Sequence, residues 1–347
     1  MWHGLDLFGP IPLVTVNDPT PPPQSTRQEV YDFIVSEITD VKADLPAAGA
    51  GSYGRATTAA ADMLLAHVYL NAEVYTGTPH YAEAAAAAQS AIAGPFTLDP
   101  SYQHVFQADN NTSPEIIFPV VQDGIHSKSY GGTTFLIHAS CGGNMDPAAL
   151  GVDGCWWGLR LKPEAYNRSA ADPRGSFFYI DPSFSIAIGN LTNFNDGIPA
   201  PKFTNMTSTG GTGSDAAFPD TDFPMFRLAD AYLIYAEAAL RGGGDVGQAL
   251  TYVNLLRQRA YGDNSGDITA GELTLDFILD ERGKELLWEA HRRTDLIRFG
   301  KFTGGSYIWS WKGNVQAGTA TPPFRDLYPF PVSQLSANPN LKQNPGY

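Results

Sequence analysis

The sequence predicts a mostly α-helical protein in which tightly packed helical hairpins are separated by a long, loop-rich and aromatic-rich insert with short strands. Three observations lead there. Apolar stripes at helical period, bounded by capping residues, occupy both ends of the chain. Residues 100–222 lose that period and fill with Gly, Asn, Ser, Thr and Pro, yet keep Tyr130, Trp156, Trp157, Phe177, Phe178 and Tyr179. Two helix pairs, 57–93 and 224–260, share a pattern: Tyr69, Ala72 and Glu73 before Ala82 in the first, Tyr235, Ala236 and Glu237 before Ala249 in the second. Small residues at such positions let paired helices nest, as in tetratricopeptide-type hairpins. The irregular middle is expected to interrupt their stacking.

The elements follow in order. Residues 1–24 read as loop because of Pro10, Pro12, Pro19 and Pro21–Pro23. Ser25 or Thr26 caps a first helix with Glu29 in its first turn, and Pro46 ends it. A second helix is expected over 57–75, and a third over 79–93 with Pro79 at its first position and Gly94-Pro95 as its stop. Glu115–Val121 reads as a short buried strand. Helices return at 224–241, 245–260 and 273–290, a short turn spans 291–299, and the tail from Gly300 is irregular. The whole chain, 1–347, reads as one domain with an N-terminal helical part (1–99), an insert (100–222) and a C-terminal helical part (223–347).

Composition narrows the function. Of 347 residues, 43% are hydrophobic and only 17% charged, which argues against disorder and against a coiled coil. The net charge of −14 would repel a phosphate backbone, so nucleic acid is excluded as a partner. Low charge with many aromatics and Asn, Thr and Ser suits a neutral polar ligand such as carbohydrate. No run of 18 apolar residues exists to span a membrane, and the first residues lack the basic start and small-residue cleavage site of a signal peptide. Cys141 and Cys155 could close a loop of about 15 residues or remain as two thiols.

The C-terminal third carries an ordered series of motifs: Phe226–Ala238, Val253–Ala260, Ile278–Leu286, Asp295–Gly300, Leu327–Pro331 and the closing Gln343-Asn344-Pro345-Gly346-Tyr347. Together with Phe8–Val14, Gly54–Thr57, Ser113–Phe118, Cys155–Arg160 and Asp172–Arg174 it resembles the SusD/RagB family over essentially the whole chain. These are surface glycan-binding lipoproteins of Bacteroidetes nutrient uptake (polysaccharide utilisation). The resemblance implies a non-catalytic protein on the outer face of the outer membrane, which binds an oligosaccharide and delivers it to a SusC-like TonB-dependent transporter. No cofactor is implied. Family members usually carry a signal peptide, a lipid-accepting cysteine and a further helical segment before the loop that Phe8–Val14 resembles, so the chain is expected to be a truncated form. A peptide- or protein-binding helical-repeat scaffold, or a fragment with impaired ligand binding, is the alternative.

Sugars are held by aromatic faces and by polar groups that bond their hydroxyls. The candidates are Tyr130, Trp156, Trp157, Phe178 and Tyr179, with Asn144, Asn193 and Asn195 as hydrogen-bonding partners. One of Trp156 and Trp157 is expected to fill the core, since an extended pair points to opposite faces. Trp309 and Trp311 alternate as in a strand and could share a ligand-facing side. Glu281, Arg282, Glu285, Glu289, Arg292, Arg293, Asp295 and Arg298 look catalytic, but their spacing fits helical ion pairs, and the resemblance makes them structural. Glu285, Glu289 and His291 lack the HExxH pattern, and Asp263–Asp267 departs from a calcium loop in glycine position and final ligand, so no metal is expected. No motif marks a carboxylate pair for glycoside hydrolysis.

Overall fold

A computed structural model describes residues 1–347, the side chain of Ala50 excepted. The chain opens on a helix, α1 (Trp2–Phe8), where the sequence reads as loop. Tertiary contacts form it: Leu5 is fully buried against Val30, Ile34, Val68 and Tyr75, and Asp6 accepts from Tyr75 Oη at 2.9 Å. Helix α2 (Arg27–Lys42) has the expected start. Thr26 Oγ1 accepts from the Glu29 amide at 3.2 Å, and the Glu29 carboxylate accepts from the Thr26 amide at 2.7 Å.

The helix expected over 57–75 is two. Helix α3 (Thr58–Leu70) stops at Asn71, whose φ and ψ of −97° and 4° leave the helical region, and α4 (Ala72–Thr76) ends on the left-handed Gly77. Helix α5 (Tyr81–Ile92) begins two residues after Pro79. Strand β1 (Ile116–Val120) lies where the apolar run predicts it. Inside the insert two short helices appear that the sequence did not announce, α6 (Gly132–Ala139) and α7 (Pro163–Ser169).

Residues expected to open the next helix instead form β2 (Phe223–Arg227), antiparallel to β1 with Pro224 opposite Pro119. In a two-stranded sheet both strands are edges, so these prolines leave no interior ladder bond unmade. Then follow α8 (Leu228–Ala238), α9 (Val246–Tyr261), α10 (Leu275–Glu285), α11 (Arg292–Arg298) and α12 (Val332–Ala337). Helix α10 ends five residues before the expected Ala290, because Trp288 and Ala290 both take φ of 64°. No helix is long and apolar enough to cross a membrane among the described residues.

The two hairpins, far apart in sequence, are neighbours in space. Helix α3 packs on α5, α5 on α8 and α8 on α9, so the stacking is continuous rather than interrupted. Alanine permits this: Ala84, Ala85, Ala88 and Ala91 of α5 and Ala231, Ala236 and Ala238 of α8 are at most 3% exposed. A second apolar cluster, including Phe106, Ile137, Leu161, Phe184, Phe194 and Phe203, lies under the loops of the insert.

Between the two clusters runs a buried ionic network. Arg227 pairs with Glu115, Glu285 and Glu289, Arg174 with Asp172 and Glu285, and Lys202 with Glu289, all on side chains at most 3% exposed. The expected helical spacing is not what joins these groups. Only Asp295–Arg298 is a near neighbour on one helix, whereas Arg282 crosses to Asp230 and Arg298 to Glu237. Glu281 and Glu285 face inward from α10 and meet Arg174, Arg227, Arg257 and Arg259 from other elements, so the pairs tie elements together.

Candidate functional site

The segment Cys155–Gly158 crosses the C-terminal end of α6, where helix carbonyls would otherwise lack donors. The Trp156 amide donates to His138 O at 2.8 Å, Trp157 to Cys141 O at 3.0 Å and Gly158 to Ala139 O at 2.9 Å. Cys141 and Cys155 are joined in a disulfide, with 4.7 Å between their Cα atoms. Backbone bonds and a covalent link therefore fix the tryptophan pair to the helix end.

Neither tryptophan is in the core. Trp157 takes φ of 58°, which turns the chain and breaks the alternation of an extended segment. Trp156 is 40% and Trp157 55% exposed. The Trp156 ring stacks on buried His138 at 4.6 Å and 16°. Both nitrogens of that imidazole face carbonyls, Gly154 O at 2.7 Å and Ala217 O at 3.2 Å, which fixes its plane under the indole.

Around Trp156 stand Tyr130 at 6.1 Å and Phe135 at 6.4 Å between ring centroids, and Phe218 lies 5.1 Å from Tyr130. Tyr130 is 70% exposed. Lys128 Nζ sits 5.3 Å over the Phe218 ring and pairs with Asp215 at 3.0 Å. The result is an outward aromatic platform with polar groups at its rim. Trp157 stands beside it and packs toward buried Phe194 at 6.0 Å.

The other candidates are placed differently. Phe178 is buried, edge-on to Phe177 at 5.1 Å, and half-buried Tyr179 meets Phe184 edge-on at 5.7 Å. Asn144 is exposed. Asn193 donates to Asp196 at 2.7 Å and Asn195 to Ser183 O at 3.2 Å, so these two amides brace their own loop. Trp309 and Trp311 are half-buried and do not alternate along a strand. Trp311 has φ of 67° and donates from Nε1 to Ile188 O at 2.9 Å, while Lys312 Nζ covers the Trp309 ring at 4.4 Å.

Phe135, Phe218 and His138 were not singled out from the sequence. Phe135 and His138 share a face at i, i+3 on α6, a signal that was available, whereas Phe218 reaches the platform only through the fold. Elsewhere, His67, Asp230 and His291 place one ligand atom each within 4.8 Å of one another. Arg282 already donates to that aspartate at 3.0 Å and supplies positive charge there.

The chain is similar to known proteins. A family model described as the SusD family matches residues 181–347. The starch-binding protein SusD of Bacteroides thetaiotaomicron is 33% identical over a 397-position alignment that spans 100% of this chain and 70% of that protein. Surface glycan-binding protein A of Bacteroides fluxus superposes with a TM-score of 0.77 at 23% identity, over 99% of this chain and 75% of that one. The Bacteroides thetaiotaomicron protein of the same name, in complex with laminarihexaose, gives 0.75 at 23% identity over 98% and 74%. The full-length likeness to the starch-binding protein, carried by the mostly helical fold that these structures share, makes the chain a member of the SusD family.

Proposed function

We propose that the chain captures a glycan on the Tyr130–Trp156 platform and does not cleave it. One observation carries the reading. Trp156 and Tyr130 are large, exposed and adjacent, and Trp156 is held by a stacked imidazole, a backbone bond and a disulfide one residue away. An aromatic face left open at this cost in solvation is suited to the apolar face of a pyranose. A platform that is already rigid loses little further freedom on binding. The relatives' names support the same class, since they describe starch and glycan binding.

In this reading the insert 100–222 of a single domain bears the ligand, and the helical parts 1–99 and 223–347 form the scaffold. The scaffold would face a SusC-like TonB-dependent transporter at the outer surface of the outer membrane, where a lipid anchor holds family members. Calorimetric titration against soluble plant, host and microbial glycans tests the binding. Saturable heat with one glycan, lost in Trp156→Ala and unaccompanied by hydrolysis, supports it. Silence across the panel from a folded chain rejects it.

A second reading, docking of a peptide or protein on the helices, has its own observation. An apolar groove of about 420 Å³, lined by Ile38, Val41, Leu45, Leu64 and Met225 among others, lies along α2 and α3. Binding there would survive loss of Trp156.

A further inference from the structure

In a chain of net charge −14, six of the 22 basic residues line one cavity. It lies between α7, α10, α11 and the turn that joins the last two, and has a volume of about 390 Å³. The six are Arg160, Lys162, Arg168, Arg282, Arg292 and Arg293, and no lining residue is acidic. Arg168 and Arg293 reach single carboxylates, Asp280 at 3.3 Å and Asp6 at 3.2 Å, and the charge of Arg282 is paired with Asp230 and Asp295, each at 3.0 Å. Arg160, Lys162 and Arg292 have no carboxylate within 4.0 Å among the described residues.

Two guanidiniums crowd together here with one carboxylate between them, Asp280 beside Arg168. Arg168 Nη2 and Arg292 Nη2 both donate to Tyr307 Oη, at 2.8 and 3.1 Å. Gly283, in the body of α10, makes room for them: a Cβ there would lie 2.9 Å from Arg292 Nη1 and 3.0 Å from Arg168 Cδ. Glycine in a helix costs about 1 kcal/mol relative to alanine. Burial, and for Arg292 the neighbouring Arg168 charge, pushes the basicity of Arg160, Lys162 and Arg292 down.

The lining residues also hold N–H donors with nothing to donate to. Arg160 Nε, Trp288 Nε1 and Arg293 Nε are buried and unpartnered. Such groups are costly to leave unmade, and here all three are donors. Leu161, Leu286, Leu287 and the Trp288 indole add apolar wall. Surplus cations, unpaired donors and apolar wall together match a small organic anion.

We propose that this cavity binds a carboxylate- or sulfate-bearing sugar unit, with its oxyanion between Arg160, Lys162 and Arg292. That the anion belongs to a sugar rests on the glycan-binding reading above; that it is an oxyanion does not. Arg160 joins the two regions, since its guanidinium lies 5.3 Å from the Phe194 ring that Trp157 also approaches.

The test titrates the full chain with glucuronate, glucose and inorganic sulfate at two salt concentrations, beside an Arg160→Met/Lys162→Met variant. Neither residue has an ion-pair partner to abandon, so the variant is expected to fold, as circular dichroism checks. An Arg292→Met chain is the second arm. The expected result is saturable glucuronate binding, weakened by salt, at least tenfold weaker in either variant, with glucose at least tenfold weaker than glucuronate. Equal binding of glucose, or glucuronate binding unchanged in both variants, overturns the site. No binding by any of the three also overturns it. Sulfate binding as tightly as glucuronate overturns the sugar and leaves a plain oxyanion pocket. Titrating the Trp156→Ala chain with the platform's glycan reads the earlier proposal separately, so each can fail without the other.

Discussion

Arg227 holds Glu289 edge-on: Nε donates to Oε2 at 2.6 Å and Nη2 to Oε1 at 2.8 Å, between residues 62 apart in sequence. The same guanidinium bonds Glu115 and Glu285 through Nη1 at 2.8 and 2.7 Å. It thus fastens β2 to β1 and to the end of α10. Taking one partner from a buried pair leaves the other's charge desolvated. Arg227→Met is expected to cost about 3–5 kcal/mol. Urea unfolding measures it, and a loss under about 1 kcal/mol would show that the neighbouring arginines take over its role.

Arg298 tests whether the shape of the cation matters as well as its charge. Its Nε and Nη2 each donate to Glu237 at 2.7 Å, Nη2 also reaches Asp295 at 2.8 Å, and Nη1 donates to Asn71 at 2.9 Å. A lysine has one nitrogen and cannot reproduce that fork. Arg298→Lys, though charge-conserving, is expected to destabilise by about 2 kcal/mol through hydrogen bonds to charged groups that it cannot make. A thermal midpoint equal to the parent's would refute the argument.

The network makes stability acid-sensitive. Burial alone would raise the Asp295 carboxyl, but Arg282 and Arg298 outweigh it and hold it at about 2. Burial is likewise outweighed at Glu285, where Arg259, Arg227 and Arg174 keep the carboxyl below its ordinary range. A carboxyl depressed in the folded state stabilises fully above its unfolded value, about 4, and loses that contribution as pH falls through the folded value. Asp295 alone accounts for roughly 2–3 kcal/mol. The urea midpoint should decline gently below about pH 6.5, where the unfolded chain protonates His291 and burial holds the folded imidazole down at about 4, and fall steeply below about 4 as the carboxylates protonate. A midpoint unchanged at pH 3 would mean that these acids are not so held.

The scaffold was legible because helix period and alanine content act locally: α2, α3, α5, α8 and α9 lie near where stripes and caps place them. What failed was non-local. Phe223–Arg227 reads as a helix start until β1 pairs with it, and α1 forms because a core receives Leu5. Acidic and basic residues spaced for one helix face found partners on other elements, which spacing cannot reveal. At the platform, Tyr130, Trp156 and Trp157 stood out as aromatics in a polar stretch, but a left-handed turn at Trp157 was needed for both tryptophans to be exposed. The cationic cavity joins residues 160–168 to 282–293, and no local pattern links those segments.

The disulfide should matter to the site and to stability. Its separation of 14 residues corresponds to about 3 kcal/mol of unfolded-state entropy. It also anchors the residue before Trp156. Cys141→Ser/Cys155→Ser is expected to lower the unfolding free energy by about 2–3 kcal/mol and to weaken glycan binding severalfold while the helical signal persists. Unaltered stability on reduction with a small thiol would argue that the backbone bonds to α6 suffice.

The platform makes unequal use of its two tryptophans. Trp156 is flanked by Tyr130 and Phe135 and backed by His138, so a ring lying across it also touches its neighbours. Trp157 is more exposed but its nearest aromatic neighbour is the buried Phe194. Removing a central, well-supported aromatic anchor typically costs about 2 kcal/mol or more, whereas a peripheral one costs less. Trp156→Ala is therefore expected to weaken glycan binding at least thirtyfold, Tyr130→Ala about tenfold and Trp157→Ala less than fivefold. Trp156→Phe should recover part of the loss, since a smaller ring still stacks on His138. Calorimetric titration of the four chains with one glycan gives the order. If Trp157→Ala proved the most damaging, the ligand would lie on the Phe194 side, toward Arg160 and the cationic cavity, and the platform would have to be redrawn there.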